Sequence, residues 1–308
     1  MSKLLITGGT GFWGKNFLAY IIENEHNLKL FEEIVILTRN SDKFLNSFPE
    51  FNHPKFKYIN GDIRAFELEK NDINYILHLA TDTNKEIIDK YPFQMIDVII
   101  NGTKNILNFA AKQTNLKKMI FASSGAVYGN IPENIKNVKE TEFFNIDFTD
   151  IKTIYAQSKR TAEQLCIAHI EKMNLPIVIA RGFSFFGKYL PNDAHFAINT
   201  FLNQAKKESK ITIKSGGLAT RSYLHSKDLA KILAILLKEK TKHTIYNIGS
   251  DDGKTLKDWA LMIAQKMGNI EIEILNEPQE GFSAGNNYVP NIDRLKEIID
   301  CDNLKKIF

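Results

Sequence analysis

Tyr155 and Lys159 stand four residues apart in the run Tyr155-Ala156-Gln157-Ser158-Lys159. In a helix, that spacing puts a phenol and an ammonium on one face. A neighbouring cation favours phenolate and draws a tyrosine pKa down from about 10 toward neutrality. Such a phenol is expected to give and take protons at pH 7, where an isolated one does not. Earlier in the chain, Phe121-Ala122-Ser123-Ser124-Gly125-Ala126-Val127-Tyr128-Gly129 carries two hydroxyls at what reads as the end of a strand. Functional groups of an open parallel sheet gather at the carboxyl ends of its strands. Ser124, Tyr155 and Lys159 are therefore the candidate catalytic residues, with Ser123 as a supporting hydroxyl.

A second constellation opens the chain: Thr7-Gly8-Gly9-Thr10-Gly11-Phe12-Trp13-Gly14. Gly8 permits a tight turn, Gly11 lets backbone approach a pyrophosphate, and Gly14 lets a helix lie against the preceding strand. The helix that begins at Phe12 and Trp13 would offer its unpaired N–H groups to a diphosphate. Between a strand and a helix, this glycine spacing points to a dinucleotide. An acid at the end of the second strand would select NAD by holding the ribose hydroxyls. Thr38 and Arg39 stand there instead. A guanidinium can clamp a phosphate, so NADP is favoured, with NAD bound by main chain as the alternative. Asp62 and Ile63, in Gly61-Asp62-Ile63, would meet the adenine, and Leu79, Ala80 and Thr81 would line the diphosphate.

These residues need elements that bring them to one sheet edge. Leu4–Thr7, Ile34–Thr38, Phe56–Ile59, Tyr75–Leu79, Lys118–Ala122 and Ile177–Ala180 read as strands without polar alternation, as strands covered on both faces should. Helical patterns over Phe12–Glu25, Pro92–Gln113 and Thr153–Met173 lie between them, and Pro176 stops the last. The alternation predicts an α/β fold, a doubly wound (Rossmann) parallel sheet with right-handed crossovers. After Arg181 the rhythm breaks into Phe183, Phe185, Phe186 and Tyr189 with Gly187 and Pro191. A helix over Thr220–Leu237 and a strand over Thr244–Ile248 then suggest a return to the sheet. Residues 1–181, with 218–248 returning, form the expected dinucleotide domain, and 182–308 a smaller C-terminal α/β substrate cap. A strand over Glu271–Leu275 and a helix over Asn291–Asp300 belong to that cap.

Composition narrows the partners. Among 308 residues, 40 Lys+Arg against 36 Asp+Glu leave a net charge of +4. That balance does not favour nucleic acid or anionic lipid. No apolar run is long enough to span a membrane. Met1–Thr7 reaches glycine too soon for a signal peptide, so the cytoplasm is the expected compartment. Cys166 and Cys301 are isolated, which fits reduced thiols and offers no metal site.

With these motifs in place, the chain resembles the extended short-chain dehydrogenase/reductases, and among them the nucleotide-sugar epimerases, dehydratases and reductases. The resemblance spans nearly the whole chain. It rests on Gly8, Gly11 and Gly14, on Ser123-Ser124-Gly125-Ala126-Val127-Tyr128-Gly129, on Tyr155 with Lys159, and on Arg221-Ser222-Tyr223. It implies that Ser124 hydrogen-bonds the reacting oxygen, Tyr155 exchanges the proton, and Lys159 holds the nicotinamide ribose. It also implies a nucleotide-sugar substrate whose phosphate Arg221 grips, and a homodimer packed through the Pro92–Gln113 and Thr153–Met173 helices. His195 is a candidate sugar contact facing the cleft. Three departures stand out. Dehydratases of the group carry Asp-Glu where this chain has Gly125-Ala126, which disfavours elimination of water. Ser184 stands where an asparagine commonly contacts the substrate diphosphate. The sequence stops at Phe308, so a shorter cap is expected. Reduction of a keto-sugar and epimerisation through a transient ketone are the expected activities. A nucleotide-sugar dehydratase or decarboxylase of the same group, and a non-catalytic dinucleotide-binding protein, are the alternatives.

Overall fold

Seven short apolar segments assemble into one parallel sheet in a computed structural model that describes residues 2–68, 72–81, 90–191, 196–276 and 287–300. The strands are β1 (Ser2–Thr7), β2 (Phe31–Thr38), β3 (Phe56–Asn60), β4 (Tyr75–His78), β5 (Lys118–Ser124), β6 (Ile177–Gly182) and β7 (Ile245–Ile248). Their order across the sheet is β7-β6-β5-β4-β1-β2-β3, so the chain winds outward in both directions from β1. The winding reverses between β1 and β4, which is where such sheets leave a crevice for a ligand.

Side chains alternate along each strand, and the two faces of this sheet are covered by different helices. Leu4 and Ile6 of β1 point into a core with helix α1 (Phe12–Glu23), while Leu5 points into a core with α2 (Pro92–Ala111) and α3 (Ile154–Met173). Near-continuous burial along β1, β2 and β6 follows from being covered twice.

Residues after Gly182 divide between the sheet and a smaller unit. Helix Ser226–Lys238 buries Leu229, Ile232, Leu233 and Leu236 beside α1, and β7 adds to the edge of β6. The expected helix over Thr220–Leu237 is shorter at its start, because Thr220–Arg221 and Leu224–His225 are two-residue strands. The smaller unit has its own core of Phe186, Ile198, Phe201, Ile211, Tyr223, Trp259 and Ile263. It contains two helices absent from the sequence reading, Ala197–Lys207 and Leu256–Lys266, and strand Lys210–Ile213 parallel to Glu271–Ile274. The helix expected over Asn291–Asp300 contracts to Asp293–Lys296.

Candidate active site

The glycine turn is shaped by close backbone approach. Gly8 has φ +72°, and a Cβ there would stand 2.6 Å from the Ala80 nitrogen. At Gly14 a Cβ would stand 2.4 Å from Gly9 Cα. Only glycine lets the β1 turn, the end of β4 and the start of α1 meet in this way. Gly11 caps α1 with no side-chain hydrogen bond, leaving the first N–H groups to a ligand.

Above that turn opens a cleft of about 460 Å³. Gly8, Gly11, Thr38, Arg39, Asp62, Ile63, Leu79, Ala80 and Thr81 line it. The aromatic rings of Phe12 and Trp13 do otherwise. They lie 5.9 and 5.4 Å from the Phe185 ring, and Trp13 also covers Gly182. Both rings are thus packed against the core rather than turned to the cleft. Arg64, which the sequence reading passed over, grips Asp62 through Nε at 2.8 Å and Nη2 at 2.7 Å, and Asp97 through Nη1 at 2.6 Å. Those hydrogen bonds pull the Asp62 carboxyl down to about 2, with the Arg39 charge a lesser contributor. Asp62 therefore meets any adenine as a fixed carboxylate.

Lys159 links this cleft to the hydroxyl cluster. Only 2% exposed, its Nζ donates to Thr81 Oγ1 and to the Ala122 carbonyl, each at 2.7 Å. Burial lowers its pKa to about 7, against the opposing pull of Glu163. Tyr155 behaves contrary to the expectation from its lysine neighbour. Burial raises the phenol to about 12, and hydrogen bonding with Ser124 only partly offsets that. Two of the three Lys159 donors go to Thr81 and Ala122, and no Lys159 hydrogen bond to the phenol offsets the burial.

The two serines part company. Ser124 accepts from the Ala126 N–H at 3.2 Å and faces Tyr155. Ser123 is 6% exposed and donates to Glu163 Oε1 at 2.5 Å, so it is not presented to a substrate as expected. Glu163 is also clamped by Arg181, through Nη2 at 2.7 Å and Nε at 3.0 Å. This buried trio ties α3 to β5 and β6 directly under the catalytic candidates. His78 lies in the same layer, with Nδ1 2.6 Å from Thr7 Oγ1 and Nε2 3.4 Å from Thr103 Oγ1. Burial, reinforced by the Lys159 charge, lowers it to about 3, so it is neutral.

On the opposite side, Arg221 donates to the Thr220 carbonyl at 2.8 Å and places its guanidinium 5.7 Å from the Tyr288 ring. Ser184 is buried, and its carbonyl accepts from Leu224. His195 lies outside the described residues. Tyr288, which no sequence motif announced, packs its ring 4.7 Å from Phe183 and brings its hydroxyl beside Gly125 from the far end of the chain. Among the described residues no His, Cys, Asp and Glu cluster could hold a metal ion. No helix described is long and apolar enough to cross a membrane.

A switch-point crevice with a glycine cradle, its wall reached by Lys159 through Thr81, is the arrangement of a Rossmann-type dinucleotide fold. Comparison with known proteins makes that class particular. The model of the NAD dependent epimerase/dehydratase family matches residues 4–249, and the chain belongs to that family. A dTDP-D-glucose 4,6-dehydratase of Dictyostelium discoideum is 30% identical over 287 residues, 88% of this chain and 63% of that one. UDP-glucuronic acid decarboxylase 3 of Arabidopsis thaliana is 26% identical, over 99% of this chain and 85% of the other. Among solved structures, dTDP-glucose 4,6-dehydratase from Bacillus anthracis in complex with NAD superposes with a TM-score of 0.77 at 22% identity. That match covers 97% of this chain and 90% of that one, and it is a likeness of fold.

Proposed function

We propose that this enzyme carries out an NAD(P)-dependent redox modification of a nucleotide-activated sugar. It either reduces a 4-keto group or epimerises a carbinol carbon through a keto intermediate. The observation that supports the reading is Lys159 donating to Thr81, which itself lines the cleft, with Tyr155 one turn away on the same helix.

Gly8, Gly11, Gly14 and the N–H groups of Phe12 and Trp13 would hold the diphosphate, with Leu79, Ala80 and Thr81 beside it. Thr38 and Arg39 would meet the ribose end, and Asp62 and Ile63 the adenine. The bound nicotinamide supplies hydride donation and acceptance. Tyr155 carries its proton at neutral pH and is set to donate it to an oxygen gaining charge. Ser124 would hydrogen-bond that same oxygen, and Lys159, anchored to Thr81 and Ala122, would hold the nicotinamide ribose.

On the substrate side, the part after Gly182 serves as the cap, with Arg221 holding the nucleotide diphosphate and Ser184 shaping the wall. Elimination of water is disfavoured on steric grounds as well as chemical ones. A Cβ at Gly125 would stand 2.7 Å from the Tyr288 hydroxyl and 2.9 Å from the Phe183 ring, so no acidic side chain fits there. A second reading, decarboxylation of a nucleotide-glucuronate, draws on the Arg221 guanidinium near Tyr288 as a partner for a carboxylate. Arg39 supports NADP as the cofactor, and the α2 and α3 helices support a homodimer. The cytoplasm remains the expected compartment.

The test is to incubate the protein and NAD or NADP with a panel of nucleotide sugars and their 4-keto forms. Nicotinamide absorbance and product NMR are followed together. Reduction or inversion at one sugar carbon is the expected result. Elimination or loss of carbon dioxide would replace the main reading with a relative's chemistry, and no turnover across the panel would remove it.

A further inference from the structure

The loop after β3 forms part of the cleft wall and is clamped onto α2. Asn105 Nδ2 donates to the Ile63 carbonyl at 2.9 Å, and a Cβ at Gly102 would stand 2.9 Å from Ile63 Cγ2. Beside them Arg64 spans two carboxylates. Asp97 accepts Arg64 Nη1 on Oδ2 at 2.6 Å and Asn101 Nδ2 on Oδ1 at 2.5 Å. The rest of the guanidinium goes to Asp62. A carboxylate has about four lone-pair sites. Asp62 Oδ1 accepts Arg64 Nε at 2.8 Å and the Arg64 backbone N–H at 2.9 Å, so it is full. Oδ2 accepts Nη2 at 2.7 Å and, among the described residues, no other donor. One acceptor site is left on a side chain that lines the cleft.

We propose that Arg64 is a positioning residue that acts through Asp62 and makes the cleft select a 6-aminopurine over a 6-oxopurine. Arg64 fills three of the four sites and pins the plane of the carboxylate, so the remaining acceptor keeps one direction. An exocyclic amino group can fill that site. A ring carbonyl in the same place would set its oxygen against a carboxylate oxygen that cannot turn away. With the carboxyl held at about 2, Asp62 carries no proton at neutral pH with which to meet a carbonyl. Asp97 is the outer anchor that holds the guanidinium to α2. The inference rests on the reading that Asp62 meets the adenine, and its test needs neither a sugar substrate nor turnover.

Calorimetric titration compares NAD with nicotinamide hypoxanthine dinucleotide, which carries a carbonyl in place of the adenine amino group. The parent protein should prefer NAD by about 10–100-fold, the scale of one hydrogen bond to a charged group. Arg64→Lys keeps the charge but loses the fork, and should lower that ratio by about fivefold, because the carboxylate is then free to turn. Arg64→Gln, which removes the charge as well, should lower it at least as far. Asp62→Asn, whose amide can donate as well as accept, should bring the ratio close to one. If Asp62→Asn abolishes the preference while either Arg64 variant binds both dinucleotides at the parent ratio, however weakly, Arg64 is merely structural. That result overturns the proposal and leaves the adenine contact standing. A preference that survives in Asp62→Asn, or is absent from the parent protein, overturns the adenine contact and the proposal with it.

Discussion

At the scale of single residues, the cleft mixes charges that decide what it accepts. Arg39 is exposed at the rim, and the Asp62 carboxylate below it is already held by Arg64. If Arg39 clamps a 2′-phosphate, Arg39→Ala should weaken NADP binding by about tenfold or more, the scale of a charge-assisted hydrogen bond, and leave NAD nearly unchanged. Fluorescence titration of both dinucleotides reads this, and equal NADP affinity in the two proteins rules the role out. His78 makes a prediction about pH. Its folded-state pKa of about 3 lies below its ordinary 6.5, so between those values the unfolded chain binds the extra proton. Stability should therefore fall as pH drops through that window, by up to about 1.4 kcal/mol per unit. His78→Gln, which keeps hydrogen-bonding capacity, should lose less in melting temperature from pH 7 to pH 4 than the parent. Parallel slopes would show that His78 is not the group titrating.

At the scale of elements, the catalytic helix is fixed from below. The Glu163 carboxylate bridges Ser123 on β5 and Arg181 on β6, deep in the interior. Removing it strands a buried guanidinium, which costs about 3–5 kcal/mol. Urea unfolding of Glu163→Ala should reveal that loss, and a change below about 1 kcal/mol would mean that Arg181 finds another partner. The alternation of apolar strands and helices was legible in the sequence because doubly covered strands carry few polar residues, as Ile34–Thr38, polar only at Thr38, and Ile177–Ala180 show. The glycine turn was legible because backbone contacts at Gly8 and Gly14 leave no alternative residue. The later helices were less visible, since aromatic residues crowd the stretch before them. A signal existed for Leu256–Lys266, where Thr255 and Asp258 form a capping box. Nothing local could have revealed Tyr288, whose place beside Gly125 and Phe183 depends on long-range packing. Nor could the i, i+4 spacing of Tyr155 and Lys159 foretell that the lysine turns to Thr81 and Ala122.

At the scale of the whole molecule, the sheet places the glycine cradle and the hydroxyl cluster at one edge, and the segment after Gly182 approaches that edge from the other side. Helices α2 and α3 pack on each other and present Phe93, 83% exposed, and Phe148 and Ile151 just before α3. A homodimer through these helices should sediment at twice the chain mass at micromolar concentration. A monomer at that concentration would contradict it.

The proposed function turns on hydride and proton being exchanged at one place, with Tyr155 carrying the proton. Tyr155→Phe tests it most directly, by measuring dinucleotide affinity and turnover on the same preparation. Near-parental affinity with turnover reduced by about 10²–10⁴ is expected. Turnover equal to that of the parent protein would contradict it.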